Sequence, residues 1–520
     1  MKKRRLLSLS LVLALLAGCV PATESPAPDP IPTESTAALI PAPEPTPTPT
    51  PEPAPASEPV DFTEFLDGVN AARQAVMTQE EPIDISAYTP DFHEQNSTFT
   101  EEELERLTTA HDPLLLLTLE DVLDDVDAFF LLLQTTYGAY YYFGGDDVFL
   151  PIRDAVKEEL AAIRIPSTGN WNDTQYLCEE LEDILYKHLS PVLVDGHFGI
   201  GHSAPRDAFA QYMYYVPDLY LDSVAGAENP DCIKPTIGPD GRICYWYAAL
   251  SHDGSDLPDT LDGRSLQWRQ ALMTSHSGDA PAFSESEWED IPVLTSRRMF
   301  ASWVNGSRDP DDLEALERFA SCGEEYADSP LLIFDVRGNG GGDEKYIDSW
   351  FHDWSGGKGQ MKRVLIYRYS QLFCRLHNPS FFPPEHMGAY RPASFSISSS
   401  SLEGAWAERS GPVFVLQDKG TASAGEATVL RFHVAADTLT VGGPTLGCYL
   451  TANNIDLYLP HSGLHCSIGT GLISNETNEN REGVGFLPDL WVDPTEALEA
   501  VERLIEYYGL NSAINEPADM

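Results

Sequence analysis

The spacing of hydrophobic residues changes along the chain. Apolar residues recur every three or four positions through residues 61–190, for example over 119–133 and 175–186, and this period predicts helices. Further along, aromatic and β-branched runs such as 214–221 and 243–247 alternate with Gly, Pro and Asp turns, which is typical of strands. The chain therefore begins as a helical segment and continues as a β-rich one.

Strands and helices alternate in the last third of the chain. The pattern predicts strands over 331–336 and 413–416, each followed by a helix, over 344–354 and 425–436, with another helix over 312–319. Alternation of this kind predicts an α/β fold. Beyond residue 59 we expect a helical N-terminal segment, a β-rich middle segment, an α/β core and a short C-terminal tail, over residues 60–190, 191–330, 331–512 and 513–520.

The N-terminus has the pattern of an export signal. Residues 2–5 are all Lys or Arg, and they precede an apolar run over 6–17 that is too short to span a bilayer. The run ends in Leu-Ala-Gly-Cys at residues 16–19, which resembles the lipobox of bacterial lipoproteins. We expect residues 1–18 to be removed and Cys19 to carry lipid, anchoring the protein on the extracytoplasmic face of a bacterial membrane. An ordinary signal peptide that contains a cysteine is the alternative.

Residues 19–59 are dominated by Pro, Thr, Ala, Glu and Ser. Such a composition does not bury a core, and its prolines favour the extended polyproline II conformation, at roughly 3.1 Å per residue. We interpret this segment as a tether with a reach on the order of 100 Å. A proline-motif ligand for another protein is the alternative.

Charge excludes one class of partner. The 520 residues contain 81 acidic and 32 basic side chains, for a formal net charge of −49. Nucleic acid is not an expected partner, because phosphate binding requires a basic surface. The acidity favours either attraction of a cationic substrate or simple solubility of an exported protein.

Cysteines and histidines do not predict a metal site. Without Cys19, seven cysteines remain and none forms a CxxC pair, so we expect neither a zinc site nor a disulfide-rich domain, although Cys232 and Cys244 are close enough in sequence to bridge a hairpin. In the strand-like stretch that holds His461, His465 and Cys466, alternation separates the last two onto opposite faces. His433, on the helix after residue 425, is interpreted as a packed side chain. No metal or organic cofactor is expected.

A glycine-rich turn follows the predicted strand over 331–336, in the sequence Arg-Gly-Asn-Gly-Gly-Gly-Asp. Glycines let bare N–H groups approach a phosphate or a developing oxyanion. A dinucleotide site would require a glycine where Asp343 stands and an acidic residue after the apolar run over 363–368, and neither is present. An oxyanion hole and a turn without any ligand are the remaining interpretations.

Ser423 lies among small residues where the strand over 413–416 leads into a helix. By itself, such a serine is more simply interpreted as a helix cap. The glycine turn also follows a strand, so the two features together predict a nucleophile that faces an oxyanion hole.

Five segments, in order, resemble the conserved blocks of the C-terminal processing (tail-specific) serine peptidases, a family that includes the tricorn protease core and retinoid-binding repeats. They are the segments over 193–198, 334–342, 420–426, 441–447 and 483–490. The resemblance implies an α/β core of the crotonase-like (ClpP/crotonase) type with a helical N-terminal cap. Many relatives carry a PDZ domain, but residues 205–330 contain no typical carboxylate-binding loop, and we expect no typical PDZ domain.

The family has two catalytic designs, and this chain resembles the tricorn-like one. Where the processing peptidases have a lysine base, this chain has Cys448, whereas the tricorn-like branch uses a histidine and a glutamate, which correspond to His197 and Glu482. The resemblance therefore implies Ser423 as nucleophile, His197 as general base and Glu482 as orienting carboxylate. The oxyanion hole would consist of the backbone N–H groups of Gly341, or its neighbour Gly340, and of Ala424.

One position departs from the tricorn-like design. That branch places a serine directly before the histidine to connect it with the glutamate, whereas this chain has Gly196. Glu482 must then reach His197 directly or through another group or water. The sequence favours a membrane-anchored serine peptidase that hydrolyses peptides or unfolded proteins, and the alternative is an inactive lipoprotein that binds a peptide or apolar ligand in the same cleft.

Overall fold

The computed structural model describes most of the chain after residue 59. The described residues are 60–77, 88, 99–165, 171–201, 211–227, 229–276, 280–304, 306–359, 363–368, 370–376, 390–393, 406–409, 411–475 and 482–512. The predicted signal, lipid site, tether and C-terminal tail lie outside the described residues and stay predictions.

Ten helices occur in the described part of the chain. They are α1 Phe62–Met77, α2 Glu101–Thr108, α3 Leu119–Thr136, α4 Asp146–Ala162, α5 Trp171–Leu189, α6 Pro310–Ser321, α7 Lys345–Trp354, α8 Gln371–Leu376, α9 Ala424–Phe432 and α10 Ala497–Tyr508. Among these described helices, none is both long and apolar enough to cross a membrane.

Nineteen strands occur in the same described residues. They are β1 Gly199–Ile200, β2 Tyr212–Leu221, β3 Ile233–Ile237, β4 Ile243–Ser251, β5 Thr260–Leu261, β6 Arg264–Ser265, β7 Arg269–Gln270, β8 Phe283–Trp288, β9 Ile291–Ser296, β10 Trp303–Val304, β11 Ser307–Arg308, β12 Leu332–Asp335, β13 Arg363–Arg368, β14 Tyr390–Ala393, β15 Val413–Gln417, β16 Thr438–Gly442, β17 Thr451–Tyr458, β18 His465–Asn475 and β19 Leu490–Trp491.

The central sheet has the order β19-β16-β15-β12-β9-β8 and is parallel except for β8. Every residue of β12, β15 and β16 is buried, as expected for parallel strands that are covered on both faces. Helices α7 and α9 pack on one face and helices α1 and α10 on the other. The predicted α/β class is confirmed.

The sheet does not follow the predicted boundary at residue 331. Strand β9 comes from the segment predicted to be a separate β-rich middle, yet it pairs in parallel with β12. Helix α1 likewise departs from the predicted N-terminal helical segment, because Phe62 and Leu66 join the core beneath the central sheet. The α2–α5 region instead shares its core with β17 and β18. Long-range pairing of this kind is invisible to local periodicity.

A second sheet carries the segment that includes His197. Strand β18 pairs with β17 on one edge and with β1 and β13 on the other. His197 lies two residues before the start of β1 at Gly199, so the antiparallel pairing of Gly199 with Ser467 restricts the position of this histidine. The remaining middle strands include an antiparallel sheet of order β3-β4-β2-β7.

Two expectations about detail are wrong. The structure leaves Cys232 and Cys244 as free thiols, because the register of β3 and β4 places Cys244 opposite Thr236, several residues away from Cys232. The helix predicted to run to residue 436 ends at Phe432, and the chain continues in short turns to Asp437, which has a positive φ of 55°.

Candidate active site

The candidate nucleophile and base lie side by side. Ser423 Oγ is 3.0 Å from His197 Nε2, although 226 positions separate the two residues in sequence. Ser423 stands where β15 leads into α9 and has a strained backbone, with φ 53° and ψ −119°. Strain at a non-glycine residue is typical of sites where a side chain must be presented at a sharp turn. Both residues line a cleft of about 1290 Å³.

Burial tunes the candidate base. Removal from water lowers the pKa of His197, while Asp195, Glu344 and the main chain of Thr451 each raise it. The ring is therefore favoured in its neutral form near pH 7, as a base for a serine requires. Nδ1 is buried and makes no hydrogen bond of normal geometry within the described residues.

Among the described residues, no hydrogen bond joins Glu482 to the imidazole of His197. Its Oε1 accepts the Gly196 N–H at 2.8 Å, and its Oε2 accepts the N–H groups of Tyr449 and Leu450, both at 2.7 Å. Burial and the neighbouring Asp195 carboxylate raise the pKa of Glu482 well above its usual range. The structure therefore connects Glu482 with His197 through the main chain of Gly196, and its catalytic role stays a prediction.

The glycine turn approaches the serine closely. Gly341 has a φ of 104°, and a Cβ on it would lie 2.7 Å from Ser423 Cβ and 3.1 Å from Ala424 N. Its own N–H, however, donates to Asn339 Oδ1 at 2.9 Å. Gly340 lines the cleft and makes no such bond within the described part of the chain. Of the two glycines predicted for the oxyanion hole, Gly340 is therefore the one whose N–H makes no hydrogen bond among the described residues, and the oxyanion role of Gly340 and Ala424 stays a prediction.

Buried polar side chains that the sequence interpretation did not assign hold the two turns together. Asp418 accepts the N–H groups of Gly338 at 2.8 Å, Gly420 at 2.9 Å and Thr274 at 2.7 Å. The main-chain carbonyl of Asn339 accepts the N–H of Ala422. The contacts of Asp418 with Gly338 and Thr274, and that of Asn339 with Ala422, join segments that are distant in sequence, so no local pattern indicates them.

Glu426 is fully buried beneath Ser423. Its Oε1 accepts from Thr445 Oγ1 at 2.6 Å and from Gly447 N, and its Oε2 accepts from Cys448 N at 2.7 Å and from Ser423 N at 3.2 Å. Burial raises its pKa. The Ser-x-x-Glu spacing of a capping box is a local signal that could have indicated this residue.

A buried lysine also lines the cleft. Lys419 is 7% exposed, and its Nζ donates to the carbonyls of Leu446 and Val484 at 3.2 Å. Desolvation lowers its pKa to about 8, against a smaller opposing effect of Glu426. Cys448 is buried at the position that a lysine base would occupy, and it packs against Gly196.

The histidines considered for other roles are accounted for by packing and pairing. His465 bonds Asp456 at 2.9 Å, and Cys466 is buried. His461 lies 3.7 Å from Asp121, and the ring of His433 packs edge-on against Phe486.

Residues 312–492 match the model of peptidase family S41. The chain therefore contains an S41 peptidase domain, and this match supports a serine-type peptidase. The matched region contains Ser423, Glu482 and the glycine turn but not His197, which the fold supplies from outside it. No curated protein matches the chain.

Solved structures are similar to this chain at low identity. Mature CPAF complexed with lactacystin is 12% identical over 76% of this chain and 99% of that chain, with a TM-score of 0.40. A putative peptidase from Parabacteroides merdae ATCC 43184 is 16% identical over 76% and 96%, with a TM-score of 0.38. The tricorn protease is 14% identical over 76% and 37%, with a TM-score of 0.32. At this level of similarity, the mechanism must be argued from the residues of this chain.

Proposed function

We propose that this chain hydrolyses peptide bonds in peptides or unfolded proteins through an acyl-enzyme on Ser423. The observation that carries the proposal is the 3.0 Å contact between Ser423 Oγ and His197 Nε2 at the wall of a large cleft. His197 takes the serine proton as Oγ attacks the substrate carbonyl and then returns it to the leaving amine. Water repeats the sequence to release the acyl group.

The remaining groups have supporting roles in this proposal. The N–H groups of Gly340 and Ala424 stabilise the oxyanion, since a strand-to-helix junction presents unpaired donors beside the nucleophile. Glu482 holds the main chain before His197 rather than the ring itself. The residues Ser423, His197 and Glu482 are those of the tricorn-like design, on a crotonase-like core with a helical N-terminal cap, but Glu482 acts through the main chain of Gly196.

The proposed location is outside the cytoplasm. The basic and apolar start of the chain, the lipobox-like end of that run at Cys19 and the proline-rich segment that follows support a lipid-anchored peptidase held away from a bacterial membrane. Metabolic labelling with a radiolabelled or alkyne-tagged fatty acid tests this. Labelling that persists in Cys19→Ala would refute it.

A binding protein of the same fold is the second candidate. It is favoured by the His197 Nδ1 atom, which has no hydrogen-bonded carboxylate among the described residues to stabilise an imidazolium. Such a protein would hold a peptide or apolar ligand in the cleft without turnover.

Labelling with a fluorophosphonate separates the two candidates. A peptidase forms a covalent adduct at Ser423, located by mass spectrometry, and hydrolyses denatured protein, and both activities are lost in Ser423→Ala. Ser462→Ala removes another buried serine hydroxyl, 3% exposed, and serves as the matched control that retains both. Absence of an adduct on the folded wild type would refute the catalytic proposal.

A further inference from the structure

Asp195 lies two residues before His197 and is only 1% exposed. Its Oδ1 accepts the main-chain N–H of His197 at 2.9 Å. Tyr137 donates its hydroxyl to Oδ2 at 2.6 Å, and Thr451 Oγ1 is 3.0 Å from both oxygens. A buried carboxylate with this many donors is held in one orientation.

These contacts join three parts of the fold at one turn. Tyr137 is the residue that ends α3, and Thr451 is the first residue of β17. Both are buried, with 0% and 1% exposure. Asp195 therefore fixes the start of the histidine segment relative to a helix and to the strand next to β18.

Glu482 makes the complementary contact on the same turn. It accepts the N–H of Gly196, whereas Asp195 accepts the N–H of His197. Neither carboxylate bonds the imidazole ring. The main chain before the catalytic base is thus held by two carboxylates, and Asp195 holds the residue that carries the ring.

We propose that Asp195 is a positioning residue for His197 and supplies the buried negative charge that favours its protonated form during the reaction. This inference rests on the proposed function, because it assigns Asp195 a role in the same reaction. In this proposal Glu482 holds only the main chain of the turn. Asp195 holds the main chain of His197 and also supplies the negative charge.

The charges around His197 support this division. Asp195 and Glu344 both raise its pKa against the lowering effect of burial. Glu482 and Glu426 also lie near the turn and the serine, and burial raises the pKa of both carboxyl groups, that of Glu482 well above its usual range. Neutralising Asp195 is therefore expected to lower the pKa of His197, and neutralising Glu482 is not.

The test compares Asp195→Asn with Glu482→Gln in the full chain. We expect Asp195→Asn to reduce kcat by roughly 10- to 100-fold, as for loss of one charge-assisted hydrogen bond, and to move the acidic limb of kcat/KM to lower pH. Glu482→Gln should reduce kcat and leave that limb in place. The titration of the His197 ring, followed by NMR in the Ser423→Ala background, should show the same pattern without any turnover.

Matched controls are present in the chain. Asp125 is another fully buried aspartate, which accepts the N–H groups of His461 and Ser462, so Asp125→Asn should lower stability without moving the His197 titration. If Asp195→Asn does not fold, Tyr137→Phe removes one donor from Asp195 and should lower kcat severalfold. Tyr140→Phe, which removes a buried donor to Asp146, should not.

An unchanged kcat and an unmoved His197 titration in Asp195→Asn would overturn the inference. An equal displacement in Glu482→Gln would also overturn it, by assigning the charge to Glu482. An unchanged kcat in Tyr137→Phe would overturn the positioning role of Asp195. Failure of the proposed function is distinct, because it appears as a wild type that neither hydrolyses peptides nor forms an adduct at Ser423, while the NMR titration still decides the role of Asp195.

Discussion

Gly196, which replaces the serine of the tricorn-like design, faces the side chain of Cys448. A Cβ at Gly196 would lie 2.6 Å from both Cβ and Sγ of Cys448, about 0.8 Å inside the 3.4 Å at which ordinary contact begins. Neither segment is free to move, because Glu482 holds the Gly196 N–H, Glu426 holds the Cys448 N–H, and Ser423 donates its N–H to the Cys448 carbonyl. The side chain of Cys448 therefore leaves no room for a Cβ at position 196.

Gly196→Ala should destabilise the protein by about 1–3 kcal/mol, the usual cost of adding a methyl group to a packed site. The loss of catalytic rate in Gly196→Ala should be larger than the loss of stability alone would produce. His197 directly follows Gly196, and a displacement on the order of 1 Å between base and nucleophile can cost about 100-fold in rate.

The assay is a double-mutant cycle, with denaturant unfolding and kcat/KM measured for each variant. Cys448→Ala removes Sγ but leaves Cβ, so it should relieve Gly196→Ala only partly, whereas Cys448→Gly removes both atoms. The coupling between Gly196→Ala and Cys448→Gly should reach at least about 1 kcal/mol. The single variant Cys448→Gly measures the entropic cost of the new glycine, roughly 0.5–1 kcal/mol.

Additive effects within about 0.5 kcal/mol would refute the reasoning, as would a Gly196→Ala variant as stable and active as wild type. Gly68→Ala is the control for adding a methyl group without a clash. Gly68 lies in α1 with no heavy atom within 4 Å of the added Cβ, so this change should leave stability unchanged or raise it.

Three further predictions follow from buried titratable groups. Because burial lowers the pKa of His197 and the base must be neutral, kcat/KM should fall on acidification with a midpoint below pH 6.5, and a midpoint above that value would contradict the assignment. The pKa of Lys419 is about 8 in the folded protein and higher in the unfolded chain, so its burial opposes folding below pH 8, and this penalty fades as the pH rises toward 10.5. The difference in free energy of unfolding between wild type and Lys419→Met should therefore change by about 3 kcal/mol between pH 8 and pH 10.5. A difference that stays constant over this range would refute the reasoning. Glu426→Ala leaves three buried donors, the Thr445 hydroxyl and the N–H groups of Gly447 and Cys448, without their acceptor and should cost at least about 3 kcal/mol in denaturant unfolding, against a smaller loss in Glu426→Gln, and similar losses in both would contradict the role of its oxygens.

Local patterns predicted the elements of the core well. The apolar runs that become β12 and β15 were predicted as strands of an α/β fold, and the helical period located α3, α5 and α7. The same patterns missed that β9 joins the central sheet and that α1 packs beneath it. Those outcomes depend on pairing between distant segments, to which a local period is blind.

The resemblance to a family provided the candidate site residues, and the fold provided their relations. Glu482 was expected to orient the imidazole, but in the structure its oxygens accept three main-chain N–H groups. Gly341 was one of two candidate oxyanion donors, but its N–H is taken by Asn339. Donor and acceptor pairs of this kind depend on distances of a few tenths of an ångström, which residue types and spacing do not encode.

By itself, the sequence determined the α/β class, the glycine turn and serine at two strand ends, and the absence of a lysine at position 448. Only the tertiary structure decided that His197, from outside the matched domain, meets Ser423, that Gly196 lies against Cys448, and that Asp195 accepts the main-chain N–H of His197. The physical reason is the range of the interactions. Hydrophobic period and turn chemistry act over a few residues, whereas the geometry of the site is set by packing and buried hydrogen bonds between segments more than two hundred residues apart.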